Sequence, residues 1–247
     1  MTFQSILFER PEDGVTNDTP EAPVFFVDLN LDQIVEAITA GRAEYNLKPF
    51  FYRSLGNIDA IRYRHEIMQD LENVLLYEHI RSFTQKMRAM RADLVQADKR
   101  YYRYQKESWF LDAVEIYCDA ISCLAHDLTA ADLKSRGFIA FRQYLVNYAA
   151  SEPFTLVLAE TQKLKADLST VKYCLHIKDN GFKLRKYESE SDYSAQVEET
   201  FHKFKQGAVK DYSVKFSDWP DMNHVEAKAL DFIAQLYPEI FATLANY

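Results

Sequence analysis

The sequence predicts a mainly α protein, a bundle of long antiparallel helices with one small β-hairpin. Three observations predict it. Residues 57–136 contain neither glycine nor proline, a run of 80 residues that helices tolerate and loops or sheets rarely do. Three stretches each show a single apolar seam at about 3.5-residue spacing, the pattern of helices packed side by side at shallow angles. One stretch, residues 172–188, abandons that period for strict alternation around an Asn-Gly pair.

The elements follow in order. Pro11, Gly14, Pro20 and Pro23 crowd residues 1–23, with Asp, Asn, Thr and Glu between them, so a flexible lead-in is expected there and one helical domain over 24–247. In "VFFVDLNLDQIVEAI", residues 24–38, Asp28, Asn30 and Asp32 alternate as they would in a calcium loop. Counting from Asp28, the sixth residue is Gln33 and the twelfth Thr39, where such a loop needs glycine and a bidentate glutamate. A helix start fits instead, with Asn30 as N-cap, Gln33 reaching back and Asp32 facing the positive helix end.

Leu76, Ile80, Phe83, Met87, Met90 and Leu94 form the first seam, and Phe110, Val114, Tyr117, Ile121, Leu124 and Leu128 the second. A break is expected between them near residues 96–103. Thr129 with Asp132 is expected to open a shorter segment, and Ser135 with Gly137 to mark another boundary. Ser151 is expected to cap the third seam, Phe154 to Leu168, with Pro153 in its first turn. The hairpin has Tyr173, Leu175 and Ile177 on one side of the turn, Phe182 and Leu184 on the other. A four-residue loop pairs Ile177 with Phe182 and Leu175 with Leu184; a two-residue Asn-Gly turn pairs Ile177 with Leu184. Helical pattern resumes at Asp192 through Phe204. After a loop at about 207–220, a last helix carries Val225, Ala229, Phe232 and Leu236.

Composition bounds function. The chain has 247 residues, 48% of them hydrophobic, ample for a packed core, and a net charge of −8. A body this acidic meets nucleic acid only through a local basic patch. Cys118, Cys123 and Cys174 are too few and odd for a disulfide framework, no apolar run reaches membrane-spanning length, and the N-terminus lacks a signal pattern. These features predict a cytoplasmic protein without membrane contact.

The best candidate site is the hairpin. Lys172, Lys178, Lys183, Arg185 and Lys186 face Asp179 alone, a local balance of +4. A basic ribbon grips phosphates without reading sequence, although lysines also guard strand edges against aggregation. Lys99, Arg103 and Lys106, with Tyr101, Tyr102 and Tyr104 interleaved, form a second basic and aromatic stretch, read as a solvated helix face. Cys118 and Cys123 are five apart in a predicted helix and so diverge by about 140°, which disfavours a zinc pair. His126-Asp127 spells the central dipeptide of the HD phosphohydrolases, with His79 the upstream histidine. No P-loop, Gly-x-Ser-x-Gly or His-Glu-x-x-His motif is present, so no nucleotide hydrolysis, catalytic residue, metal or cofactor is expected in this chain.

Four segments, "FFVDLNLDQIVEAI", "FFYRSLGNIDAIRYRHEIMQDLE", "YRYQKESWFLDAVEIY" and "ALDFIAQLYPEIFATL", resemble in this order the N-terminal half of short MutS-like proteins of the DNA mismatch repair family. The resemblance spans roughly residues 24–247. It implies the helical core or lever domain that precedes a dimerising P-loop ATPase domain. ATP and magnesium would then belong to that downstream domain, for which the chain is expected to continue past Tyr247. DNA and a homodimer partner are implied for the full-length protein. Mismatch-recognising relatives use a Phe-x-Glu motif in an earlier domain; "FER" at Phe8–Arg10 is not that motif. Those relatives also carry a sizeable DNA-gripping clamp inserted into the lever, of which the resemblance leaves only the hairpin at 172–188 as a candidate remnant. The alternatives are an autonomous helical scaffold for protein partners and an HD-type metal enzyme.

Overall fold

The computed structural model describes residues 3–11, 21–178, 181–188, 222 and 224–247. Among these residues the protein is mainly helical, with ten α-helices and one two-stranded hairpin. The helices are α1 (Phe25–Asp28), α2 (Leu31–Thr39), α3 (Lys48–Tyr52), α4 (Ile58–Leu71), α5 (Val74–Lys99), α6 (Arg103–Ala130), α7 (Arg136–Ala149), α8 (Glu152–Ser169), α9 (His224–Leu236) and α10 (Pro238–Asn246). The strands are β1 (Tyr173–Lys178) and β2 (Gly181–Lys186). The pattern expected from Asp192 to Phe204 and the loop at 207–220 lie outside the described residues.

The glycine- and proline-free run becomes all of α4, α5 and α6 and the first residue of α7. At 26 and 28 residues, α5 and α6 are about 39 and 42 Å long. They break at residues 100–102, inside the expected window. Cross-helix pairs give their direction: His79 meets Asp127, Lys86 meets Asp119 and Lys106 meets Asp98. Numbers rise along one helix as they fall along the other, so the two are antiparallel. Lys165 of α8 pairs with Asp112 and Glu115 of α6.

The chain divides into two compact units. The first comprises Met1–Lys86 and Asp119–Thr155, the second Met87–Cys118 and Leu156–Tyr247. In the first, Tyr63, Ile67, Leu76, Ile121, Leu124, Leu128, Phe138 and Phe154 are buried. Helices α4 and α7 approach so closely that a Cβ on Gly137 would lie 2.4 Å from Ile67 Cδ1 and 2.6 Å from the Tyr63 hydroxyl, so any larger residue there must displace those side-chain ends. Buried Asp70 accepts hydrogen bonds from the backbone N–H groups of Lys134 and Ser135, and the Ser135 hydroxyl accepts from the Phe138 N–H at 3.2 Å. This is the N-terminal boundary of α7 expected at Ser135. Within the lead-in, Phe3 stacks on Phe141 at 5.0 Å, and the Ser5 carbonyl accepts from the Tyr63 hydroxyl at 2.7 Å.

In the second unit Leu111, Leu164, Ile233, Ala234, Phe241 and Leu244 form the core, with Tyr104, Leu184, Tyr237 and Tyr247 packed against it. Buried Thr161 sits in the α8 seam because its hydroxyl is satisfied by the Val157 carbonyl at 2.6 Å and by the Tyr247 hydroxyl.

Several local expectations are corrected. Asn30 precedes α2 but has φ 54° and makes no cap bond; Gln33 donates to its side chain at 3.4 Å rather than closing a capping box. Thr129 opens nothing: it lies inside α6, donating to the Ala125 carbonyl at 2.7 Å. The Ser151 hydroxyl turns back to the Tyr148 carbonyl instead of capping α8. In α6 the later half of the expected seam is buried at Ile121, Leu124 and Leu128, whereas in the earlier half burial falls on Leu111 and Cys118 and leaves Phe110 at the rim. In α9 Ala227, Ile233 and Ala234 are buried while Val225 and Phe232 are exposed.

Candidate nucleic-acid interface

The hairpin begins where α8 ends, after Thr170 folds its hydroxyl onto the Asp167 carbonyl. β1 and β2 pair antiparallel with Ile177 opposite Phe182, Leu175 opposite Leu184 and Tyr173 opposite Lys186. This is the first of the two registers, extended by one pair, Lys178 opposite Gly181. Residues 179 and 180 connect the strands and lie outside the described set.

Register sorts the side chains. Residues 173, 175 and 177 share one face with 182, 184 and 186. Residues 174, 176 and 178 share the other with 181, 183 and 185. The first face is apolar, and Leu184 packs into the core of the second unit. The opposite face holds Lys183 and Arg185, both exposed, with His176 directly across from Lys183. Arg185 Nε donates to His176 Nε2 at 2.9 Å. Position 178 falls in the same alternation.

The five basic residues therefore separate. Lys183, Arg185 and position 178 belong to one face. Lys186 lies on the other, with its ammonium 5.0 Å from the Tyr237 ring centroid, a cation–π contact that seats the hairpin base. Lys172 precedes β1; its carbonyl accepts from the Tyr237 hydroxyl and its N–H donates to the same oxygen at 3.3 Å. One tyrosine at the α9–α10 junction thus holds both ends of the ribbon. The role of Tyr237 had no local signal, because it is set by a partner 65 positions away. His176 could have been found by alternation from Lys178.

The other candidates fare differently. Lys99 ends α5 and Arg103 begins α6, so Lys99 sits on a different helix from the other two, while Arg103 and Lys106 lie three residues apart on α6. Arg103 donates to the Ala245 carbonyl at 3.0 Å and Tyr104 packs edge-on against Phe241. Cys118 is buried and Cys123 exposed. His79 Nδ1 lies 2.8 Å from Asp127, bringing together two of the three residues of the phosphohydrolase reading, while His126 is exposed. Among the described residues no group of three His, Cys, Asp or Glu is placed to hold a metal ion, and no helix is long and apolar enough to cross a membrane. A cavity of about 460 Å³ in the first unit is lined by Glu66, Asp70, Glu72, Asp132 and Lys134.

The strongest polar centre is structural. In the first unit Arg136 reaches Glu66 at 3.1 Å, Asp59 at 3.2 Å and Glu9 at 3.0 Å, and its guanidinium lies over the Tyr63 ring. The hydrogen bond from Arg136 holds the Glu66 carboxyl below its ordinary range against the opposing effect of desolvation.

No family model matches the chain, and neither a curated protein nor a solved structure matches it.

Proposed function

We propose that this chain is a non-catalytic helical lever module of a MutS-like protein, and that its hairpin contacts the phosphate backbone of DNA. The single observation behind the DNA contact is the register, which lines Lys183, Arg185 and position 178 on the face opposite the one that carries Leu184. A ribbon so arranged offers positive charge to phosphates without base-reading geometry, so its binding is sequence-tolerant and salt-sensitive. The antiparallel α5 and α6 support the lever part of the reading, since long helices packed along apolar seams move as rigid bodies. The four quoted segments support the kinship. Nucleotide hydrolysis and dimerisation belong, on this reading, to a downstream domain.

The two parts are tested separately. Replacing Lys178, Lys183, Arg185 and Lys186 together by glutamine should weaken duplex DNA binding, read by fluorescence anisotropy across a salt series. The slope of log K against log salt should become shallower by about 3. An unchanged slope removes the hairpin from DNA contact. For the kinship, the coding sequence beyond Tyr247 decides: a Gly-x-x-x-x-Gly-Lys-Ser/Thr loop supports the lever, and an immediate stop codon favours the scaffold. The scaffold reading draws on one observation of its own: Val24, Val27, Leu29, Ile34 and Ile38 are all exposed around α1 and α2.

A further inference from the structure

We propose that Lys86 and Cys123 form an oxidative covalent cross-link, Nζ–O–Sγ, joining α5 to α6 within the first unit. Three side chains meet there. Lys86 Nζ lies 3.5 Å from Cys123 Sγ. Asp119, one turn before Cys123 on α6, holds both: its Oδ2 accepts from Lys86 at 2.7 Å and its Oδ1 accepts from the Cys123 thiol at 3.4 Å. A single carboxylate thus presents amine and thiol to each other across two helices. Cys123 is exposed, so a small oxidant reaches it, whereas Cys118 on the same helix is buried.

The chemistry balances with a peroxide as oxidant. The Cys123 thiolate attacks one oxygen of hydrogen peroxide; the O–O bond breaks, an S–O bond forms, and sulfenic acid and water result. A second peroxide oxidises the pair further: an N–O bond forms between Lys86 and the sulfenic oxygen, the second O–O bond breaks, and two waters leave. Overall one thiol, one amine and two peroxides give one N–O–S bridge and three waters. Sulfur and nitrogen each supply two electrons. A thiol reductant reverses the link.

Asp119 is a positioning residue. It also stabilises the Lys86 ammonium and raises its pKa, so the neutral amine needed for N–O formation becomes more abundant as the pH rises. Linking should therefore accelerate with alkalinity.

The test is peptide mass mapping of the whole chain after graded hydrogen peroxide. Trypsin should release residues 82–88 joined to residues 107–134, with one oxygen gained and two hydrogens lost relative to the separate peptides. Fragmentation should place the bond at Lys86 and Cys123, and dithiothreitol should separate the pair. Lys86→Met and Cys123→Ser should each abolish the joined species, and Asp119→Ala should slow its appearance at least about tenfold; circular dichroism of each variant verifies that the helices persist. Accumulation of Cys123 sulfinic or sulfonic acid with Lys86 still cleavable overturns the proposal. So does a Cys123 that stays a thiol while other residues oxidise.

Discussion

Arg136 and the hairpin place positive charge in opposite circumstances. Arg136 is met by three carboxylates from two chain segments, Glu9 of the lead-in and Asp59 and Glu66 of α4. The hairpin gathers five basic residues against one acid in sequence, and the partners it shows are a histidine and an aromatic ring. The first arrangement satisfies charge inside the molecule and so serves folding. The second sets Lys183 and Arg185 on an exposed face of the ribbon, where the proposed phosphate contact would be made.

Substitutions should separate the two regions. Asp70→Ala should have the largest effect on stability, because it strips an acceptor from two backbone N–H groups at the start of α7. A loss of about 2.5 kcal/mol is expected in urea unfolding. Gly137→Ala comes next. The new methyl collides with Ile67 and Tyr63, while helix propensity offsets part of the cost, leaving a net loss of about 1.5 kcal/mol. Arg136→Met should cost about 1 kcal/mol at pH 7, modest because its partners are partly solvated. Its signature is the pH profile. Glu66 has a folded pKa held below its usual 4.5, so its contribution is present above that value and is lost as the pH falls through the depressed one. The gap between wild type and Arg136→Met should therefore narrow below about pH 4.5. None of the three should alter the salt slope of DNA binding. The fourfold hairpin variant should do the reverse, changing that slope while shifting the unfolding midpoint least. If Asp70→Ala and the hairpin variant disturb both properties equally, the contrast between the two regions fails.

The three long seam helices, the break at residues 100–102 and the hairpin's existence were legible in the sequence, because each follows from local period or from missing breakers; α1, α3, α4 and α10 were not separately read. The buried face of α6 and α9 was legible only to within a position. Large apolar residues drew the expected seam to Phe110, Val225 and Phe232, whereas the buried positions include small ones, Ala113, Ala120, Ala125, Ala227 and Ala234. A close helix crossing favours side chains that let backbones approach, and a reading weighted by size passes over them. Caps failed for a related reason. Asn30, Thr129 and Ser151 all have the right chemistry, but each hydroxyl or amide found a nearer partner. The hairpin's basic excess was plain from composition. Its division between a seated Lys186 and a solvent-facing Lys183 depended on register, which sequence left open, and on Tyr237.

Each compact unit is assembled from two separated stretches of the polypeptide, with α5, α6 and α8 each divided between them. This interleaving has a consequence for biosynthesis. The first unit has all its parts once residue 155 has emerged from the ribosome, but the second must wait for α9 and α10 before Leu111 and Leu164 gain their last neighbours. Nascent chains arrested between those points would display half a core, so chaperone capture should peak in that interval.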